Sequence, residues 1–291
     1  MVFVVDGLAR SGTTLISAAL NSQAGLCVLR GAMHEPRAAD FGRWPDDYLL
    51  GDITKARNLR HEGSSFEPTP DFFSKLVQGL YEGYERNGDV RLLSLAELVV
   101  EHKPASFSDL DSIYRHFESE NDCHLGFRWN QGLAFHDVWT GRGHKWIWVV
   151  RDPCARAASD KLTFRRPIRK SLKWARIYGE CIQHTSKDSD LYLVVHYEDL
   201  VCDMESELLR MTNFLGLPQH VVNRAIVDEL GRPFQANSSA KILRGMSHTE
   251  YEKFGDTGLD AGLMTEKMNM NRWRPIFRRQ LRGIPLYDRY L

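Results

Sequence analysis

The feature that most constrains this chain is a short segment near its start. Gly7-Leu8-Ala9-Arg10-Ser11-Gly12-Thr13-Thr14-Leu15 follows the apolar run Phe3 to Asp6 and opens a helical pattern, residues 13 to 20. The two glycines have the spacing of a phosphate-binding loop, G-x-x-x-x-G-K-[ST], with Thr13 standing where the lysine belongs. Glycine permits the tight turn, and the free N–H groups of residues 11 to 15 at a helix N-terminus suit a phosphate. The lysine of such loops grips the β- and γ-phosphates of a nucleoside triphosphate. Its loss turns the loop away from ATP or GTP chemistry, while Arg10, three residues earlier, still supplies a cation.

A strand that turns directly into a helix predicts an α/β sheet, and the rest of the chain agrees. Strands are expected at residues 3–6, 26–29, 123–128, 146–150 and 191–196, each a short apolar or β-branched run suited to burial on both faces. Helical patterns lie between them at 13–20, 70–86, 153–164, 168–184 and 203–215. The last is framed by Asp203 as its cap, Glu205 and Glu207 in its first turn, and Gly216 and Pro218 at its end. The alternation predicts a parallel sheet with right-handed crossovers. Residues 36–122 break it and read as a mostly helical insertion over the C-terminal edge of the sheet, where α/β ligands bind. No linker closes that stretch off, so a single domain over 1–291 is expected. The arginine-dense, aromatic tail, 272–291, reads as a solvated helix packed on the sheet edge.

Charge narrows the partners. Lys plus Arg and Asp plus Glu number 38 each, so the chain is formally neutral, and a nucleic-acid backbone is not an expected partner. Any anion site must be local. Five scattered cysteines without a C-x-x-C pair fit reduced thiols rather than a disulfide framework. No apolar run reaches the roughly 18 residues of a membrane span. Met1 leads into Val2 to Val5 without a basic leader, so a complete chain is expected in the cytoplasm; an excised Golgi-lumenal domain would have lost its anchor. No H-E-x-x-H or comparable cluster appears among the eleven histidines, and no metal is expected.

A second basic signal sits at Trp146-Ile147-Trp148-Val149-Val150-Arg151-Asp152-Pro153, with Ser159 two turns into the following helix. Arg151 at a strand end and Ser159 on a helix face can converge on one anion. Arg156, Lys161, Arg165 and Arg166 make the neighbourhood basic. A strand-terminal arginine serves equally well as a structural ion-pair partner.

Arg10-Ser11-Gly12-Thr13-Thr14-Leu15 and the pair Arg151 and Ser159, eight residues apart, together resemble the PAPS-dependent sulfotransferase family, in motif style closest to its carbohydrate and tyrosyl-protein branches. Tyr197-Glu198-Asp199-Leu200, Phe214-Leu215-Gly216, Asn237-Ser238-Ser239 and Trp273 extend the similarity. The resemblance implies a P-loop NTPase-like sulfotransferase fold, a parallel sheet flanked by helices with the 36–122 insertion over the active site. It implies that the first loop takes the 5′-phosphosulfate of PAPS, with 3′,5′-ADP as product. It also implies that Arg151 and Ser159 take the 3′-phosphate, that Tyr197, Ser238 and Ser239 help hold the nucleotide, and that no metal is used. Arg10 would stabilise charge on the bridging oxygen.

Arg128 stands where the family often has a lysine touching the sulfuryl group, a structural ion pair being the other reading. The proton of the acceptor hydroxyl needs a base. In Leu29-Arg30-Gly31-Ala32-Met33-His34-Glu35-Pro36-Arg37, Glu35 matches the family's catalytic glutamate, His34 competes with it through its near-neutral titration, and Arg37 would face the acceptor. Trp44, Tyr48, Phe72, Phe73 and Tyr81 line an acceptor cleft or belong to the core. The expected acceptor is a small molecule or carbohydrate hydroxyl. The alternatives are a tyrosyl-protein acceptor, a P-loop kinase, or a nucleotide-binding protein without turnover.

Overall fold

A computed structural model describes residues 2–8, 10–30, 70–128, 136–164, 167–185, 190–217, 222–227 and 270–291. Five strands form one wholly parallel sheet: β1 (Phe3–Gly7), β2 (Leu26–Arg30), β3 (His124–Arg128), β4 (Lys145–Val150) and β5 (Tyr192–His196). Their spatial order is β2-β3-β1-β4-β5, so β1 sits at the centre between β3 and β4. The five predicted strands are these five, shifted by a residue at their ends.

Side chains alternate across the sheet with the period of two that a strand imposes. Phe3, Val5, Val28, Ile147 and Val149 point to one face, where they meet Leu15, Ile16, Ala19 and Leu20 of helix α1 (Thr13–Asn21). Val4, Leu29, Phe127, Trp146 and Trp148 point to the other. Because both faces are covered, the strands carry unbroken apolar runs rather than an apolar–polar alternation.

The second face is covered in part by residues from the stretch read as an insertion and in part by the helices after β4 and the tail. Helices α2 (Pro70–Asn87), α3 (Val90–His102) and α4 (Phe107–Asn121) bury Leu76, Leu80, Leu95, Val99, Ile113, Tyr114 and Phe117 in the same core as β1–β4. They form part of the crossover from β2 to β3 and lie over the face of the sheet. The remainder of that stretch, 36–69, lies outside the described residues. Asp89 and Ser106 start α3 and α4: Asp89 accepts from the Arg91 N–H, and Ser106 forms a reciprocal capping box with Asp109. Phe73 is buried in this core, Tyr81 is exposed, and Trp44, Tyr48 and the side chain of Phe72 lie outside the described residues.

Helix α5 (His136–Thr140) precedes β4, and α6 (Pro153–Phe164) and α7 (Ile168–Thr185) follow it. Helices α8 (Tyr197–Cys202) and α9 (Met204–Phe214) follow β5, with Asp203 capping α9 through the Ser206 N–H as its sequence predicts. The tail is more deeply embedded than a solvated edge helix. Helix α10 (Arg274–Gln280) and the 3₁₀ turn Pro285–Tyr290 bury Phe277, Leu281, Ile284 and Tyr287, and the Tyr287 hydroxyl donates to the Ala175 carbonyl of α7 at 2.9 Å. Its arginines at 278, 279 and 282 face outward, because the apolar residues recur at helical spacing between them.

Candidate active site

The chain reverses strand order about β1, and the segments leaving the central strands meet at their C-terminal ends, the usual ligand crevice of an open α/β sheet. Gly7 ends β1 beside Val149 of β4. A Cβ on Gly7 would lie 2.6 Å from the Val149 carbonyl oxygen and 3.2 Å from Thr13 Cγ2, so only glycine lets the loop leave here. The turn closes with the Ser11 N–H on the Leu8 carbonyl at 2.9 Å. That bond takes Ser11 out of the set of free amides expected from the sequence. Gly12, at φ 101°, caps α1, and the first bond of the helix runs from the Ile16 N–H to the Gly12 carbonyl at 3.1 Å. The N–H groups of Thr13, Thr14 and Leu15 therefore precede the helical ladder. The Leu15 side chain itself packs into the core.

Arg10 has φ 74°, a left-handed conformation uncommon for a residue with a side chain. Its Nε donates to Ser159 Oγ at 2.9 Å, and its carbonyl accepts from Arg151 Nη1 at 3.2 Å. The two basic signals, separate in sequence, are thus one contiguous cluster. Ser159 is fully buried on α6 and holds Arg10 from below. Arg151, one residue past β4, is buried, and its guanidinium lies 4.4 Å from the centroid of the Tyr197 ring. That ring also abuts the loop, since a Cβ on Gly12 would come within 2.2 Å of Tyr197 Cδ2. Tyr197 follows β5 directly and so reaches the loop and the arginine together.

Two guanidinium groups held this close repel. Burial, and then the charge of Arg151, push the Arg10 pKa below its ordinary value, with Asp160 and Tyr197 opposing the shift. The Nε of Arg151 is buried with no hydrogen-bond partner among the described residues. A buried, unpaired cationic donor beside a second cation is costly alone, and an anion at the loop relieves it. Arg128, the last residue of β3, extends the basic rim by donating from Nη1 to Thr14 Oγ1 at 2.7 Å.

Arg156 does not join this rim. It is buried, its Nη2 donates to the Ser171 carbonyl, and it lies 3.9 Å from Asp160, which in turn accepts from Ser171 Oγ at 2.7 Å. Its role is to tie α6 to α7, because a buried cation needs paired acceptors. Lys161 is exposed, and Arg165 and Arg166 lie outside the described residues. So do His34, Glu35, Arg37, Asn237, Ser238 and Ser239.

Sequence reasoning missed the brace behind Arg151. Asp152 caps α6 by accepting from the Cys154 N–H at 2.7 Å, and its other oxygen accepts from Arg274 Nη2 at 2.8 Å. The Asp152 N–H donates to Glu198 Oε1 at 2.9 Å, while the Tyr290 hydroxyl donates to Glu198 Oε2 at 2.8 Å. Helix α8 and the tail thus fix the residue next to Arg151. The Asp152-Pro153 pair, a cap followed by proline at the first helical position, was the available signal. Its distant partners were not visible.

Among the described residues no group of three or more His, Cys, Asp or Glu side chains is placed to hold a metal ion, and no helix is long and apolar enough to cross a membrane.

The model of the Sulfotransferase family matches residues 143–220, the stretch that carries β4, Arg151, Ser159 and Tyr197. No curated protein matches the chain. Similar solved structures include the sulfotransferase domain of the Synechococcus PCC 7002 olefin synthase, at 18% identity and TM-score 0.47 over 92% of this chain and 86% of that one. The sulfotransferase domain from the curacin biosynthetic pathway gives 17% identity and TM-score 0.46 over 94% and 96%. Mouse sulfotransferase SULT7A1 complexed with PAP gives 14% and 0.39 over 97% and 85%.

Proposed function

We propose, from the sulfotransferase family match over residues 143–220, that this chain moves a sulfo group from PAPS to a hydroxyl of a small-molecule or carbohydrate acceptor. The observation that carries the reading is the convergence of Arg10 and Arg151 under a glycine loop, with the Arg151 Nε buried and unpaired among the described residues. The donor set fits the nucleotide: backbone N–H groups, two guanidinium groups and hydroxyls are ligands for phosphate and sulfate oxygens. When bound, PAPS supplies an activated sulfo group and, after transfer, leaves as 3′,5′-ADP.

The chain's own residues have separable tasks. The amides of Thr13 to Leu15 cradle an anion at the start of α1. Arg10, steadied by Ser159, neutralises charge gathering on the leaving phosphate, and Arg151 holds a nucleotide phosphate in place. Sulfuryl transfer, like phosphoryl transfer, gains more from in-line positioning and charge neutralisation than from covalent catalysis. Arg128 orients Thr14 and faces the transferred group. Glu35 takes the acceptor proton, with His34 as the competing base, and Arg37 contacts the acceptor. Ser238 and Ser239 complete the nucleotide site. The whole of 1–291 acts as a single domain, with residues 36–122 supplying the acceptor side.

Calorimetric titration with 3′,5′-ADP tests the reading. Arg151→Ala removes a charge-assisted contact of about 1.5–3 kcal/mol, so affinity should fall roughly 10- to 100-fold while the fold survives. Mg-ATP should leave the melting temperature unchanged where 3′,5′-ADP raises it. Unaltered 3′,5′-ADP affinity in Arg151→Ala would remove Arg151 from the site. Incubation with PAPS and a mixed acceptor library, read by mass spectrometry, identifies the acceptor class.

A further inference from the structure

Away from the anion-binding loop, three elements bring a thiol, an imidazole and a phenol together. Tyr192 opens β5 and pairs with Trp146, whereas Gly7 at the loop pairs with Val149, three residues further along β4. The cluster is thus set back about 10 Å along the strand direction, toward the N-terminal edge of the sheet. Cys181 of α7 places its Sγ 3.6 Å from His136 Nε2 of α5. His136 Nδ1 lies 2.9 Å from the Tyr192 hydroxyl, and that hydroxyl lies 2.9 Å from Thr140 Oγ1.

The proton positions follow from these contacts. Thr140 Oγ1 donates to the His136 carbonyl oxygen at 2.9 Å, and a carbonyl can only accept. Thr140 has one hydroxyl proton, so it accepts from Tyr192. Tyr192 then donates to Thr140 and can accept from His136 Nδ1–H. In that tautomer the His136 Nε2 lone pair is turned to the Cys181 thiol. A nucleophile within reach of a base, the base itself oriented by a third group, is the general arrangement of an activated thiol. His136 is buried, with its ring edge-on to Trp146 and Trp148, and Cys181 is half-buried. These apolar walls favour a small uncharged reactant.

We propose that Cys181, His136 and Tyr192 form a reactive-thiol site, distinct from the anion-binding loop, that is modified by small uncharged carbon electrophiles. In the step, the Cys181 S–H proton passes to His136 Nε2 and the sulfur forms a bond to the electrophilic carbon. The bond from that carbon to its leaving group breaks, and the leaving group departs with the electron pair. With iodoacetamide it departs as iodide, and the imidazolium then returns its proton to solvent. The reading is independent of sulfo transfer.

The test is alkylation of the native protein with iodoacetamide at neutral pH, with each cysteine quantified by mass spectrometry over time. Cys202, the exposed cysteine, serves as the internal reference. Cys181 should react at least as fast as Cys202 despite its burial; slower reaction overturns the proposal. Tyr192→Phe removes the hydroxyl that faces Nδ1, and His136→Gln removes the base. Each should lower the Cys181 rate relative to Cys202 by at least about tenfold, a modest figure for a positioned base. An unchanged ratio in either variant, with its near-ultraviolet circular dichroism intact, overturns the base assignment. Should both variants unfold, the ratio in the unaltered protein decides.

Discussion

Replacing Gly12 by alanine tests whether the loop, Tyr197 and Arg151 form one unit. The backbone at φ 101° costs an alanine about 1–2 kcal/mol. The added Cβ would sit 2.2 Å from Tyr197 Cδ2 and 2.8 Å from Cε2, far inside the roughly 3.5–4.0 Å at which carbons rest. Displacing a buried ring adds about 1–3 kcal/mol of overpacking. The sum, about 2–5 kcal/mol, should lower the melting temperature by roughly 4–20 °C for a chain of this size. Nucleotide affinity should suffer as well, because the ring that moves is the one stacked 4.4 Å from the Arg151 guanidinium. The informative assay is a double-mutant cycle with Tyr197→Ala, read by calorimetric unfolding and by 3′,5′-ADP titration. Without the ring, Gly12→Ala should cost only its backbone strain, leaving a coupling of about 1–3 kcal/mol. Effects that add within about 0.5 kcal/mol, the behaviour of independent sites, would refute the contact.

Other perturbations probe separate links. Glu35→Gln should abolish turnover with 3′,5′-ADP affinity preserved; full kcat would pass the base role to His34 or elsewhere. Burial, and then the charge of Arg289, push the His196 pKa from 6.5 down to about 4. The unfolded chain therefore takes up this proton first, and stability should fall as pH drops from 6.5 toward 4. His196→Gln should flatten that slope in urea midpoints measured across the range. Burial alone would raise the Asp111 pKa, but hydrogen bonds from His144 and Arg142 hold it below its ordinary value. Asp111→Ala should cost about 1.5–3 kcal/mol in chemical denaturation, because the Arg142 Nε and His144 Nε2 contacts at 2.8 Å both lose their acceptor.

The local grammar of the chain was largely readable. Phe3 to Asp6, the glycine spacing at 7 and 12, and the Asp203 to Gly216 helix carry their structure in nearest neighbours, through strand propensity, turn chemistry and capping. The stretch 90–121 was read only as mostly helical, although Asp89, Ser106 and Asp109 spell two caps there. Residues 278, 279 and 282 made the tail look solvated, and only packing showed that Phe277, Leu281, Ile284 and Tyr287 face the core. Arg156 was legible only in part for a related reason. Its charge was visible, but its partners at 160 and 171 depend on how α6 lies against α7.

What the amino-acid order determined by itself was the alternation of strands and helices that predicts a parallel α/β sheet, and a turn able to seat an anion, since each strand, helix and turn is patterned over a few neighbouring residues. What the tertiary structure alone decided was that Arg10 reaches Ser159 across 149 positions and that Arg151 reaches the Arg10 backbone across 141. Strand order decides such meetings: β1 lies beside β4 in space but not in sequence, so the two basic signals become one cluster only when the sheet closes.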